Sequence, residues 1–297
     1  MLLNKRPPIK YIFNKVKTEL IYVSITALLV YFLTSRFEHL IPEMPMTIPT
    51  FLGTAISVIL SFKLSQSYDR WWEARKIWGS IVNDSRNFVL QLQSFVDGSQ
   101  KETVHRMAYR QIAWCYSLGQ TLRELSPLAH LSKYLSEDDQ AILERHRNKP
   151  LGILQQNTAE LRQLRENGYL DLFGHVQLNS TMVNLTNWMG MAERIKSTVF
   201  PVTYRIFLHT IIYVFVITLS IALRNVAGYF EIPLLLIITS FFFLLERTAT
   251  HLQDPFSNKP TDTAMTAIAT TIEINIKQLL NESDIPEPHK ASDFYLS

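Results

Sequence analysis

The stretch FLGTAISVILSFKLSQSYDRWWEARKIWG, residues 51–79, begins as a run of aliphatic and small residues and ends in a dense block of tryptophan and charge. Pro49 stands where a helix can start, and no proline follows up to Gly79, so the spacing predicts one continuous helix. At about 1.5 Å per residue it would be about 45 Å long, more than the roughly 30 Å of hydrocarbon in a bilayer. It therefore leaves a membrane still helical. Two rows run along it: Thr54, Val58 and Phe62 recur every four residues, and Ser57, Ser61 and Ser65 form a neighbouring stripe. One face is thus small, polar or narrow-apolar. Such a face has two readings. Small hydroxyl residues let helices pack closely and bond to their own backbone, or the face lines water. Lys63 favours water or a charged partner, although a lysine near a helix end can also snorkel to the interface.

Three further apolar segments flank this helix at a distance. Residues 20–37 and 206–223 are long and pure enough to span, 48–66 belongs to the stretch just quoted, and 232–245 is intensely apolar but short. Together the four segments form two hairpins. Hydrophobic residues make up 47% of the 297-residue chain and charged residues 19%, less than the roughly one quarter usual in soluble domains, and the apolar residues come in blocks. The basic residues Lys5, Arg6, Lys10, Lys15 and Lys17 precede the first span with no small-residue cleavage site after it, which predicts an uncleaved helix. By the positive-inside rule both termini and residues 69–203 are cytoplasmic, and the connectors 38–46 and 225–231 lie outside a cell (inner) membrane. A net charge of +3, with scattered basic residues, gives no footing for nucleic acid.

The long middle region reads as helical, so the expected class is all-α. In residues 101–125, Val104, Met107, Trp114 and Leu118 fall three, seven and four residues apart, a helical period, with Ile112 eight residues after Val104. Ser136 and Asp139 are placed to cap the helix that follows, with Glu137, Asp138 and Asp139 as its acidic first turn. Asn167 and Gly168 close another helix. The single cysteine, Cys115, excludes an intramolecular disulfide and reads as a core residue. Residues 281–297, with the polar, proline-containing SDIPEPHKASDFYLS at 283–297, read as a tail beyond a single domain of residues 1–280.

The block SYDRWWEARKIWG (67–79), following FLGTAISVILSFK and followed by AERIKSTVFPVTY (192–204) and HLQDPF (251–256), resembles the bestrophin family over about residues 15–280. The tryptophan-rich block and QDPF are its most specific parts. The resemblance implies a homopentamer of helical subunits around one pore lined by the second helix, conducting small ions passively. It implies a hydrophobic neck at Thr54, Val58 and Phe62, with the polar row Ser57, Ser61 and Ser65 beside it. A second, cytoplasmic aperture falls at Phe173, or at Leu172 if the register is one residue off. Animal and plant members favour anions such as chloride, whereas bacterial-type members need not, so a monovalent-cation (sodium) channel stays open.

The sequence departs from the animal pattern at two places. Thr54 carries a hydroxyl and Val58 is small, leaving Phe62 as the only ring of the neck, which weakens a dewetting barrier. In HLQDPFSNKPTD the acidic run that binds calcium in animal members is reduced to Asp254 and the distant Asp262. Asp69, Arg70, Trp71, Trp72, Glu73 and Arg75 suit a positioning role at the membrane interface better than a catalytic one, and Glu246 and Arg247 are expected to do likewise just past the fourth span. His105, His130, His146, His175, His209, His251 and His289 lie too far apart for a ligand motif, and no phosphate loop or nucleophile motif occurs. The expectation is a channel with no cofactor, no metal and no enzymatic activity. A membrane-anchored scaffold or sensor is the rival reading, and a secondary transporter is disfavoured by the few spans.

Overall fold

The computed structural model describes all residues except 2–6, 38, 40–42, 199–200, 228–229, 292–293 and 297. Lys5 and Arg6 of the basic N-terminal stretch, and parts of both connectors expected outside the membrane, lie outside the described residues. Among the described residues the chain forms nine α-helices: α1 (Ile9–Arg36), α2 (Thr47–Phe95), α3 (Lys101–Leu122), α4 (Glu137–Glu144), α5 (Lys149–Glu166), α6 (Leu172–Ser197), α7 (Val202–Ala227), α8 (Glu231–Gln253) and α9 (Met265–Leu279). The all-helical class is as the sequence implies. Four helices, α1, α2, α7 and α8, are long and apolar enough to cross a membrane.

The helices fall into two compact units, with α2 contributing to both. One unit comprises residues 5–70 and 199–254. Its core joins Val23 and Ala27 of α1, Ile56 and Leu60 of α2, Leu208, Ile212 and Val216 of α7, and Leu235 and Phe243 of α8. Its outward faces are apolar too, with Ile21, Phe32, Phe207, Ile237 and Phe241 exposed, as suits helices solvated by lipid. Gly53 lets α2 approach α7 closely: a Cβ there would stand 3.2 Å from the Phe215 ring.

The second unit comprises residues 71–198 and 255–297 with Met1–Asn4. Here α3 packs against α5, α6 and α9 around Trp78, Phe88, Met107, Ile112, Trp114, Leu118, Leu161, Leu178 and Ile272. All five residues singled out between 101 and 125 are buried. Ser136 and Asp139 form a reciprocal capping box on α4, and Asn167 caps α5 with Gly168 at φ 80° after it. Cys115 is fully buried and burial pushes its thiol up to about 12, so it is a core residue and no nucleophile.

Several elements are longer than, or absent from, the sequence expectation; α1, for one, begins at Ile9 rather than near residue 20. Helix α2 does not stop at Gly79 but continues to Phe95, 49 residues or about 74 Å, because Ile81, Phe88, Val89 and Leu92 keep a buried face running. Helix α8 extends beyond residue 245 to Gln253, carrying Glu246 and Arg247 inside it. Helix α9 was not expected at all: its threonines and isoleucines weaken the local helix signal, and packing of Met265, Ile272 and Ile276 on the core supplies what propensity does not.

Candidate pore-lining face

Within its first unit α2 has two unlike sides. Ile56, Leu60, Lys63 and Ser67, spaced four, three and four residues apart, are buried against the other helices of that unit. Thr54, Ser57, Val58, Ser61, Phe62 and Ser65 are all exposed on the other side, with Phe62 at 66%. The two rows picked out by spacing therefore share a face that the chain's own helices leave uncovered. Ile59 is half-buried, and its carbonyl accepts a hydrogen bond from the Tyr204 hydroxyl at 3.2 Å.

Two of the four hydroxyls on this face, those of Thr54 and Ser57, are turned inward on the helix. Thr54 Oγ1 donates to the Thr50 carbonyl at 2.9 Å and Ser57 Oγ donates to the Gly53 carbonyl at 2.8 Å. Their protons are spent on the backbone, so toward the exposed side they present oxygen lone pairs.

Lys63 does not face that side. It is 1% exposed, its ammonium lies 2.7 Å from Glu246 Oε1 of α8, and it donates to Thr250 Oγ1 at 2.9 Å. Thr250 in turn donates to Glu246 Oε1 at 2.8 Å, and His209 Nε2 of α7 stands 3.6 Å from Glu246 Oε2, just beyond hydrogen-bond length. The charge that argued for water on α2 is thus met by a partner. Glu246 and Arg247 likewise do not mark a helix end, since Glu246 is buried in α8 and Arg247 pairs with Glu19 of α1. Spacing hid these pairs because their members are 183 and 228 residues apart in sequence. The available signal was Glu19 and Glu246 themselves, acids at the margins of apolar runs that demand a compensating cation.

In the second unit Phe173 is 84% exposed in the first turn of α6, with Leu172 and Val176 exposed beside it. The position of that turn is tightly held. Asp171 caps α6 by accepting from the Gly174 amide, Val96 at the end of α2 bridges Leu170, and the Asp97 amide donates to the Tyr169 carbonyl at 2.9 Å. Gly174 is required there, because a Cβ would lie 2.9 Å from Phe95 Cβ. Among the signature residues, Trp71 Nε1 donates to the Thr261 carbonyl at 3.0 Å, Trp72 and Asp69 are exposed, and Glu73 pairs with Lys76 at 2.7 Å. Arg70 and Arg75 are half-buried. The segment that holds calcium in animal members puts Asp262 in the interior, buried beside Thr261 and Thr263, and Asp254 at the end of α8.

The family model for bacterial and fungal bestrophin proteins matches residues 10–278. The chain belongs to the bestrophin family. Among curated relatives of this bestrophin, the voltage-dependent anion channel-forming protein YneE of Escherichia coli K12 is 30% identical over 278 residues, covering 93% of this chain and 90% of the relative. The voltage-dependent anion channel-forming protein RSc3414 of Ralstonia nicotianae is 28% identical over 251 residues, 82% of this chain and 80% of the relative. A crystal structure of a bacterial bestrophin homologue from Klebsiella pneumoniae superposes with a TM-score of 0.83 at 26% identity, over 90% of this chain and 99% of that one. The resemblance carried by the tryptophan block and QDPF is thereby established, and the helical fold with its apolar helices is that of the solved bestrophins.

Proposed function

We propose that this bestrophin is a passive ion channel of the cell membrane: a homopentamer in which α2 of every subunit lines one pore, conducting small monovalent ions with anions preferred. The observation that carries the reading is the uncovered face of α2. Its residues Thr54, Ser57, Val58, Ser61, Phe62 and Ser65 are exposed while the opposite face is buried, in a helix apolar enough to span. A scaffold has no use for a mixed face of this kind at membrane depth, whereas five copies around an axis enclose it. Thr54, Val58 and Phe62 then form the neck, and Phe173 at the start of α6 forms the second constriction. Both termini and the second unit are cytoplasmic in this reading, and Asp69, Arg70, Trp71, Trp72, Glu73 and Arg75 set the position of α2 where it leaves the bilayer. The names of the curated relatives support anions.

A second reading, a cation channel on the same scaffold, is favoured by the hydroxyls. Thr54 and Ser57 spend their protons on the helix backbone and offer oxygen lone pairs to the exposed side, an arrangement that suits a cation. The reversal potential of purified protein in a planar bilayer under asymmetric sodium chloride decides between them. A potential near the chloride equilibrium value supports the first reading, one near the sodium value supports the second, and absence of any current overturns both.

A further inference from the structure

Between Thr47 and Tyr68 helix α2 has one charged residue, Lys63, and it adjoins Phe62. Both Lys63 and Glu246 are 1% exposed, and their 2.7 Å contact is braced by Thr250, which bonds to both. Buried ion pairs seldom add net stability, because two desolvated charges cost about what their attraction returns. What such a pair supplies is registry: each charge is satisfied at one geometry and left uncompensated in low dielectric at others. Sliding α2 by one residue moves Lys63 about 1.5 Å along the axis and about 100° around it, beyond reach of Glu246. The other buried residues of that side, Ile56, Leu60 and Ser67, carry no charge, so a rotation that displaces them leaves no uncompensated ion.

We infer that Glu246 is the positioning residue of the neck: by holding Lys63 it fixes the rotation and depth of α2, and so decides that Thr54, Val58 and Phe62, not their neighbours, face the conduction path. The inference rests on the pore reading above. It assigns no contact with the permeating ion to either member of the pair, since Lys63 is directed to the opposite side of the helix from Thr54 and Val58.

The test is thiol accessibility from the aqueous path. Cys115 is silent toward a water-soluble thiol reagent because it is fully buried. Single substitutions Thr54→Cys, Val58→Cys and Phe62→Cys, with Ile59→Cys and Leu60→Cys as controls, are made in the unmutated protein and in three backgrounds. The first is Glu246→Gln. The second is Lys63→Met with Glu246→Leu, which removes both charges and retains the fold because apolar replacement of a buried pair is commonly neutral or stabilising. The third is the exchange Lys63→Glu with Glu246→Lys. Expected is fast modification at 54, 58 and 62 and slow modification at 59 and 60 in the unmutated protein, loss of that contrast in the first two backgrounds, and its return in the exchange. A contrast that survives in the Lys63→Met, Glu246→Leu background overturns the positioning role and leaves the pore standing. No contrast in the unmutated protein overturns the pore itself, and the inference with it.

Discussion

Replacing Asp139 by asparagine tests how the second unit is fastened. Arg110 of α3 is buried and gives Asp139 Oδ1 two hydrogen bonds, from Nε at 3.0 Å and Nη2 at 2.7 Å, while Nη1 reaches Glu160 of α5 at 3.0 Å. One guanidinium therefore ties α3 to α4 and to α5. Breaking a buried pair outright costs about 3–5 kcal/mol. The substituted amide would keep an acceptor and Glu160 would still face Arg110, so roughly half of that is lost, about 2 kcal/mol. Removing an acid from the first turn of α4 adds up to about 1 kcal/mol. The total of about 2–3 kcal/mol corresponds to a fall of roughly 5–10 °C in melting temperature for a unit of this size.

The pH dependence of Asp139 follows from its surroundings. Burial alone would raise the carboxyl, but the bonds from Arg110 and Ser136 outweigh it and hold it below the ordinary value. A depressed acid contributes stability that is present above its unfolded value of about 3.9 and disappears as pH falls through the folded one. The gap between Asp139→Asn and the unmutated protein should therefore be full at pH 7 and close in acid. Intrinsic fluorescence melts in detergent between about pH 3 and pH 8 measure both quantities. A variant that melts within about 1 °C of the parent at neutral pH, or a gap that widens in acid, refutes the reasoning.

The neck makes a paired prediction: Phe62→Ala removes an exposed ring and should raise single-channel conductance or open time, while Thr54→Leu and Val58→Phe lower it. Leu60→Ala, at a site 2% exposed, should instead lower stability by about 2–5 kcal/mol and leave conductance unchanged in the protein that folds; recordings with the opposite pattern would put the wrong face on the axis. Chelating calcium on the cytoplasmic side should leave currents unaltered, because Asp254 and Asp262 are too few acids for a site that takes about six to eight oxygens. Steep calcium dependence would mean that ligands come from elsewhere. Native mass spectrometry in mild detergent should report a homopentamer, and a predominantly monomeric species would remove the basis for an enclosed path.

What could be read along the chain was whatever depends on spacing within one helix. The rows at Thr54, Val58 and Phe62 and at Ser57, Ser61 and Ser65 share a face because about 3.6 residues make a turn, whatever packs nearby. The capping box at Ser136 and Asp139 and the stop at Asn167 and Gly168 are equally local, since each satisfies backbone groups within a few residues. Apolar runs of sufficient length disclosed the spans, and the tryptophan block disclosed the family. Tertiary structure decided the fate of the charges. Lys63 looks from its neighbours like a cation awaiting water, and only the arrival of α8 shows it neutralised by Glu246. Arg247 with Glu19 and Arg110 with Asp139 and Glu160 have the same character, as does α9, which local propensity underrates and burial on α3 sustains. A helix periodicity fixes which side chains leave together in one direction; what they meet there is set by segments far along the chain, because the energy of a buried charge depends on a partner within about 4 Å and not on its neighbours in sequence.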